Sequence, residues 1–297
     1  MIPPMTTRPG RAKVVAVFLL LTLIWGTTWA AIVFSLEGIP PFLGVSLRFA
    51  LAGLLLVGIA RWRGVPLGRS RTERRLWLAN GLLSFCASYG LVYWAEQYVP
   101  SGLTAVLWAT FPLMVAVMAH FVLPHERMTG RGVVGVVVGF LGLAVIYSED
   151  LGRLGGPQVA FASLVLLLSP FVSAISNVAI KRYGKGIPPL SLAGPPMLVG
   201  GAVMGGLAAV VERSAPVTWG ARPVAALLYL ALAGSAVTFS LYYWLLSHTT
   251  VVRTSLIAYT TPVVALAIGV LVMGEPITAR VLAGSLLVVG GVALATT

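Results

Sequence analysis

Ser173, Ser176 and Asn177 fall at i, i+3 and i+4, with Ser169 one turn earlier, so on a helix they share one face. Hydroxyls and an amide gathered in an otherwise apolar stretch demand partners, supplied either by neighbouring helices or by a polar guest. Trp25, Thr28 and Trp29 repeat the spacing near the start of the chain and offer indoles instead. Phe85, Tyr89 and Tyr93 make a third stripe, Phe239 and Tyr243 a fourth, and Trp108 stands just upstream of Pro112. Together these side chains can hold the flat apolar part of a small molecule while hydroxyl, amide and freed carbonyl groups meet its polar end. An uncharged lining of this kind suits a zwitterion, whose two charges partly cancel. The plainer alternative for the aromatic residues is packing or anchoring at a membrane interface, and for Ser173, Ser176 and Asn177 it is bonding between helices.

Pro112 and Pro262 lie inside apolar runs long enough to be helices. Each lacks the donor for the carbonyl four residues back, so Trp108 and Ala258 carry acceptors that must be satisfied otherwise. In hydrocarbon that is tolerated only where helices, hydroxyls or water reach them. The two prolines are therefore expected to be hinges of kinked helices that face each other across a polar cavity. Arg48 is the one charge well inside a span, a possible pathway charge by default; snorkelling to the interface, or pairing with Glu37 or Glu96, is the alternative. Glu126 and Glu275 precede helix starts, where the helix dipole favours a carboxylate, and read as structural. His120 reads as a satisfied core histidine rather than a proton relay.

Enzyme chemistry finds little support. There is no paired-carboxylate site, no metal-spaced His or Cys cluster and no GxxxxGK loop, so no catalytic residue, metal or cofactor is expected. An intramembrane lipid-modifying enzyme is the alternative from another class; Arg69 to Arg75 could bind phosphate, but no acid/base pair accompanies them. The single Cys86 excludes a disulfide framework.

The elements that must position these residues are membrane spans. With 58% hydrophobic and only 9% charged residues, the chain departs far from the quarter or so of charged residues in soluble proteins. Runs of about 20 apolar residues cross a hydrocarbon core, and they occur at 14–34, 42–61, 75–96, 101–123, 131–147, 158–180, 188–211, 223–247, 251–273 and 279–296. The net charge of +12 does not point to nucleic acid, because the basic residues gather at span ends. With the N-terminus inside, fifteen of the 20 Lys and Arg fall on the cytoplasmic side, four on the other and Arg48 within a span. That asymmetry predicts a multi-pass protein of the cell inner (plasma) membrane with both termini cytoplasmic. The basic flank and apolar run at the start are expected to be an uncleaved first helix rather than a signal peptide.

The chain also writes itself twice. Tyr93-Trp94, Thr104, Thr110 and Pro112 return 150 positions later as Tyr243-Trp244, Thr254, Thr260 and Pro262, and Gly38-Ile39-Pro40-Pro41 returns as Gly186-Ile187-Pro188-Pro189. Residues 1–150 and 151–297 are thus expected to be two five-helix repeats. Five is odd, so the second repeat enters the membrane upside down. The fold class expected is an all-α membrane protein of ten transmembrane helices in two inverted five-helix repeats around a central cavity. The glycines at 132, 135, 139 and 142, and at 284, 290 and 291, read as close-packing surfaces, within the chain or at a subunit contact. The oligomeric state is left open, and a monomer satisfies the pattern.

In Leu23-Ile24-Trp25-Gly26-Thr27-Thr28-Trp29, Arg48-Phe49-Ala50, Pro112 with Glu126-Arg127, and Pro262 with Gly274-Glu275, the chain resembles the drug/metabolite transporter superfamily. Within it, the likeness is to the EamA-type ten-helix exporters, over nearly the whole length. The resemblance implies helices 3, 4, 8 and 9 around a central cavity, alternating access, and secondary transport that exports small amphipathic metabolites, amino acids being the best-known class. The aromatic residues make the chain most similar to the bacterial aromatic amino acid exporters. The substrate-binding residues so implied are Trp25, Trp29, Tyr89, Tyr93, Trp108, Ser173, Asn177 and Tyr243, with efflux of other metabolites or drugs in the same fold as the alternative. The partners expected are a small-molecule substrate and the lipid bilayer.

Overall fold

The computed structural model of the chain describes residues 9–99, 101–126, 129–151, 157–264 and 279–296, all of it helix and connecting turns with no strand among the described residues. Within the described residues each apolar run becomes helix, with the visible ends shifted by a few residues. Helix α1 is Arg11–Leu36, α2 is Pro41–Trp62, and α3 runs continuously over Arg71–Ala95. Helix α4 comes in two pieces, Ser101–Trp108 and Phe111–Val122, and α5 is Gly130–Leu151. The second half repeats the plan: α6 is Pro157–Leu166 plus Leu168–Tyr183, α7 is Pro189–Val211 and α8 is Ala221–His248. Helix α9 starts as Val251–Ser255 and resumes over 257–264, and α10 is Ala279–Thr296.

Local chemistry sets several of these ends. Helices α2 and α7 both open with proline in their first turn, where the missing N–H costs nothing. Ser70 caps α3 by accepting from Glu73 N at 3.0 Å, and Thr250 caps α9 by accepting from Arg253 N at 3.2 Å. Outward faces are apolar: Trp62, Phe121 and Val210 are among the most exposed side chains. In water such a surface would be a liability, whereas against lipid tails it needs no partner.

The two halves meet through their own counterparts. Helix α2 packs against α7, its equivalent in the second half, and α5 packs against α10. Both pairs are antiparallel, because early residues of one helix lie beside late residues of the other. A Cβ on Gly201 would touch Ala50 N and Ser46 O, while one on Gly53 would touch Leu198 and Gly194 O. Likewise a Cβ on Gly142 would come within 2.7 Å of Gly284 O and Val288 N, and one on Gly291 would collide with Gly139 N. Equivalent helices running in opposite directions make the two halves inverted. Small residues at these contacts let the backbones approach closely, so Gly135, Gly139, Gly142, Gly284 and Gly291 serve packing within the chain. Gly290, by contrast, has nothing within 4 Å of where its Cβ would be.

Helix α4 breaks at Ala109 and Thr110, just before Pro112, and α9 breaks at Leu256, one turn and a half before Pro262. Thr261 Oγ1 donates to Ala258 O at 3.3 Å, giving the carbonyl freed by Pro262 a partner. Two further irregularities have no proline to announce them. Gly81–Ser88 in α3 and Leu232–Val237 in α8 are π-helical, and the 150-residue repeat lays one on the other. Widened turns of this kind are frequent at functional sites.

Candidate functional site

A central cavity lies between the halves, lined from α1, α3, α4, α6, α8 and α9. Its volume is about 60 Å³, which at about 10–15 Å³ per water is room for a handful of water molecules. Trp25, Thr28 and Trp29 reach it from α1, and Ser173 and Asn177 from α6, so the two matched stripes share one chamber. Tyr89, Trp108 and Tyr243 also stand in the wall. Tyr93 does not: it is fully buried behind the wall, with its hydroxyl accepting from Arg48 Nη1 at 3.3 Å. Both helix breaks touch the cavity, through Trp108 and Phe111 in α4 and through Ser255, Ile257 and Ala258 in α9. Pro112 and Pro262 themselves lie one position outside this lining and are buried.

One side of the wall is aromatic. Trp25 packs on Phe239 and Tyr242 with centroids 5.4 and 5.3 Å apart, and Trp29 stands 6.3 Å from Trp108. Polar groups are interleaved, most of them held. Tyr242 donates to Asn177 Oδ1 at 2.8 Å, and Asn177 Nδ2 donates to Ser173 O at 2.8 Å. Trp108 Nε1 donates to Ser169 Oγ at 3.0 Å, and that hydroxyl shares a 2.8 Å bond with Ser88. Two wall groups are left over: Trp29 Nε1 and Ser84 Oγ are buried without any hydrogen-bond partner. A buried donor with no acceptor costs about 1–3 kcal/mol, and here both belong to residues that line the chamber. No Asp, Glu, Lys, Arg or His contributes to the lining among the described residues.

Arg48 neither snorkels nor pairs with Glu37, which is bound to Arg222 at 3.2 Å. It is 1% exposed, because its guanidinium is absorbed by the interior. Nε donates to Ser235 Oγ at 2.7 Å and Nη2 to Gly234 O at 3.0 Å, both in the π-helical turn of α8. The guanidinium carbon also lies 4.8 Å from the Tyr89 ring centroid. Trp25 Nε1 donates to the same Gly234 carbonyl at 3.4 Å. Arg48 thus braces the wall from behind rather than facing the chamber.

Sequence spacing gave no hint of Asn80. It is 1% exposed and ties its own helix to three others: Nδ2 donates to Tyr243 OH at 2.8 Å and to Leu192 O at 3.0 Å, and Oδ1 accepts from Ser176 Oγ at 2.9 Å. Leu192 O is the carbonyl that Pro196, inside α7, leaves without its helical donor. Ser176 is therefore turned to a neighbouring helix, as its plainer reading held. At the basic end of the bundle, Glu126 accepts from Val251 N at 2.6 Å and pairs with Lys181 at 3.3 Å. Lys181 also donates to Leu246 O at 2.9 Å and to Thr249 O, so α4, α6 and the α8–α9 turn are fastened together there. Glu275, Gly274 and Arg127 lie outside the described residues. His120 is exposed, its ring against Phe121, so the core role expected of it fails because its face of α4 points outward.

Residues 12–148 and 160–297 each match the EamA-like transporter family. The chain belongs to that family. As an EamA protein it is a multi-pass membrane transporter rather than an enzyme, with ten helices in two inverted repeats. Among EamA relatives, the uncharacterized transporter YoaV of Bacillus subtilis is 28% identical over 96% of this chain and 97% of its own. The uncharacterized inner membrane transporter YedA of Escherichia coli K12 is 30% identical over 87% and 82%. A solved crystal structure at 21% identity superposes with a TM-score of 0.82 and covers 97% of both chains, which establishes the shared fold.

Proposed function

We propose that this EamA transporter exports small amphipathic metabolites, amino acids foremost and aromatic ones among them, across the inner membrane by alternating access. The observation that carries the reading is the pair of unpartnered donors, Trp29 Nε1 and Ser84 Oγ, in an aromatic-walled chamber with no charged side chain among the described residues. A flat side chain stacks against Trp25, Trp29, Tyr89, Trp108 and Tyr243. The substrate's carboxylate accepts from the idle donors, and its ammonium meets Ser173, Asn177 and the carbonyls near the breaks in α4 and α9. A zwitterion needs no buried counter-ion, which is consistent with this lining. The expectation for Tyr93 is revised to a supporting role, since its hydroxyl is engaged by Arg48.

Both termini lie in the cytoplasm in this reading, because the basic residues at the ends of α2, α3 and α6 follow the positive-inside asymmetry. Pro112 and Pro262 act as hinges that let α3–α4 and α8–α9 swing in turn. In this reading the Glu126–Lys181 fastening of α4, α6 and the α8–α9 turn is the gate at the basic end, and substrate enters when it opens. Purified protein in liposomes, preloaded with unlabelled phenylalanine and offered labelled phenylalanine outside, tests the substrate class by counterflow. Saturable uptake with competition by other aromatic amino acids is expected. No competition by any amino acid refutes the substrate and leaves the fold and family untouched.

A further inference from the structure

Glu96 follows directly on the last residue of α3, is 7% exposed, and neither carboxyl oxygen has a hydrogen-bond partner. The other described carboxylates whose contacts are given are engaged: Glu37 with Arg222, Glu73 and Glu212 with backbone N–H groups, and Glu126 with Lys181 and Val251 N. An ionised carboxylate stripped of water and of every donor is far more costly than the neutral acid. The titratable groups that face Glu96 are Arg48 of α2 and Tyr93 of its own helix. Arg48 acts on it through space and makes no ion pair with it, because its guanidinium is committed to Ser235, Gly234 and Tyr93. Gln97, the next residue, is exposed, so water reaches within one residue of the carboxyl group.

We propose that Glu96 is a proton-binding site that couples proton movement to transport. In the state described here the carboxyl group is the neutral acid. When its O–H bond breaks, the proton passes to water at the end of the bundle next to Gln97, and the carboxylate left behind attracts Arg48. Arg48 holds Gly234 O, which Trp25 in the cavity wall also holds, and its guanidinium sits beside the ring of Tyr89. Drawing Arg48 toward Glu96 therefore loosens the π-helical turn of α8 and the wall together. The linkage is reciprocal: a substrate that reshapes the wall changes how firmly Glu96 holds its proton. The exchange is substrate against proton.

This proposal rests on the transport reading above, and its test separates the two. The first arm needs no substrate: infrared absorption of a protonated carboxyl group is measured on purified protein at neutral pH, for the wild type and Glu96→Gln. The band is expected in the wild type and absent from Glu96→Gln; a missing wild-type band, or one that survives the substitution, overturns the site. The second arm measures labelled phenylalanine uptake into liposomes with a lumen two pH units more acidic than the bath, against no gradient. One-to-one exchange of a proton for a zwitterion moves one charge per cycle, so the membrane potential is clamped near zero with potassium and valinomycin, and accumulation of up to about 100-fold is then supported. The ratio of uptake with and without the gradient is expected to exceed one in the wild type, fall to one in Glu96→Gln and recover in part in Glu96→Asp. An equal ratio in the wild type and Glu96→Gln overturns the coupling. If no amino acid moves through the wild type at all, the substrate reading falls, and the infrared band alone decides Glu96.

Discussion

Replacing Asn80 by leucine, which is close in volume and carries no polar atoms, is the sharpest probe of what holds the cavity wall in place. The substitution leaves Leu192 O, Tyr243 OH and Ser176 Oγ each short of one hydrogen bond. Inside a membrane such bonds average about 0.6 kcal/mol, since the unfolded chain in lipid also finds partners. A buried group left wholly unsatisfied costs about 1–3 kcal/mol. Leu192 O is the costliest of the three, because Pro196 has already removed its helical donor. Three bonds at about 0.6–1 kcal/mol each give a loss of about 2–3 kcal/mol. At about 2–4 °C per kcal/mol, the midpoint of thermal unfolding in detergent should fall by about 4–12 °C. Ser176→Ala alone should cost less, and the double variant should cost less than the sum, because both remove the same bond. Trp62→Leu, on the lipid-facing surface, is the control and should leave the midpoint nearly unchanged. An Asn80→Leu protein as stable as the wild type, or strict additivity with Ser176→Ala, would refute the reasoning.

Three other outcomes are expected. Asn177→Ala takes the acceptor from the Tyr242 hydroxyl in the cavity wall; counterflow should show KM raised about tenfold, equivalent to about 1.4 kcal/mol, with the maximal rate less affected. Pro112→Ala combined with Pro262→Ala restores two helical donors and stiffens α4 and α9, so turnover should slow while KM changes little; an unchanged rate counts against the hinges. Gly142→Ala forces a methyl group to within 2.7 Å of Gly284 O and Val288 N, an overpacking that should destabilise by about 1–3 kcal/mol. Gly290→Ala meets open space and should be neutral by the same thermal assay.

The architecture was legible because hydrophobic length and the doubled Tyr-Trp and Pro-Pro spacings survive without any knowledge of packing. Helix faces were legible too, which is how Trp25, Trp29, Tyr89, Trp108, Ser173, Asn177 and Tyr243 could be named before their shared chamber was seen. Spacing along one helix does not say which other helix it meets. That is why the sequence points Tyr93 to the wall, although its hydroxyl turns to Arg48. It is also why Asn80, isolated in its own stretch, passed unnoticed although it holds α3, α6, α7 and α8 together. Two of the three hydrogen-bond partners of Arg48 lie 186 and 187 positions away in a π-helical turn, and no single-helix periodicity foretells that. Glu96 was visible as a residue, but its lack of any donor is a property of three-dimensional surroundings alone.

Among the described residues, the fastening at the basic end has no twin. Lys181 of α6 corresponds, across the 148-residue offset, to Val33 of α1, so the ammonium that clasps Glu126 is absent from the mirrored position. The two ends of the bundle are therefore fastened differently: a part-buried Glu126–Lys181 clasp, also tied to backbone groups, holds the basic end, while an exposed Glu37–Arg222 pair, more open to screening by dissolved salt, lies at the other. A duplicated scaffold has in this way acquired a direction.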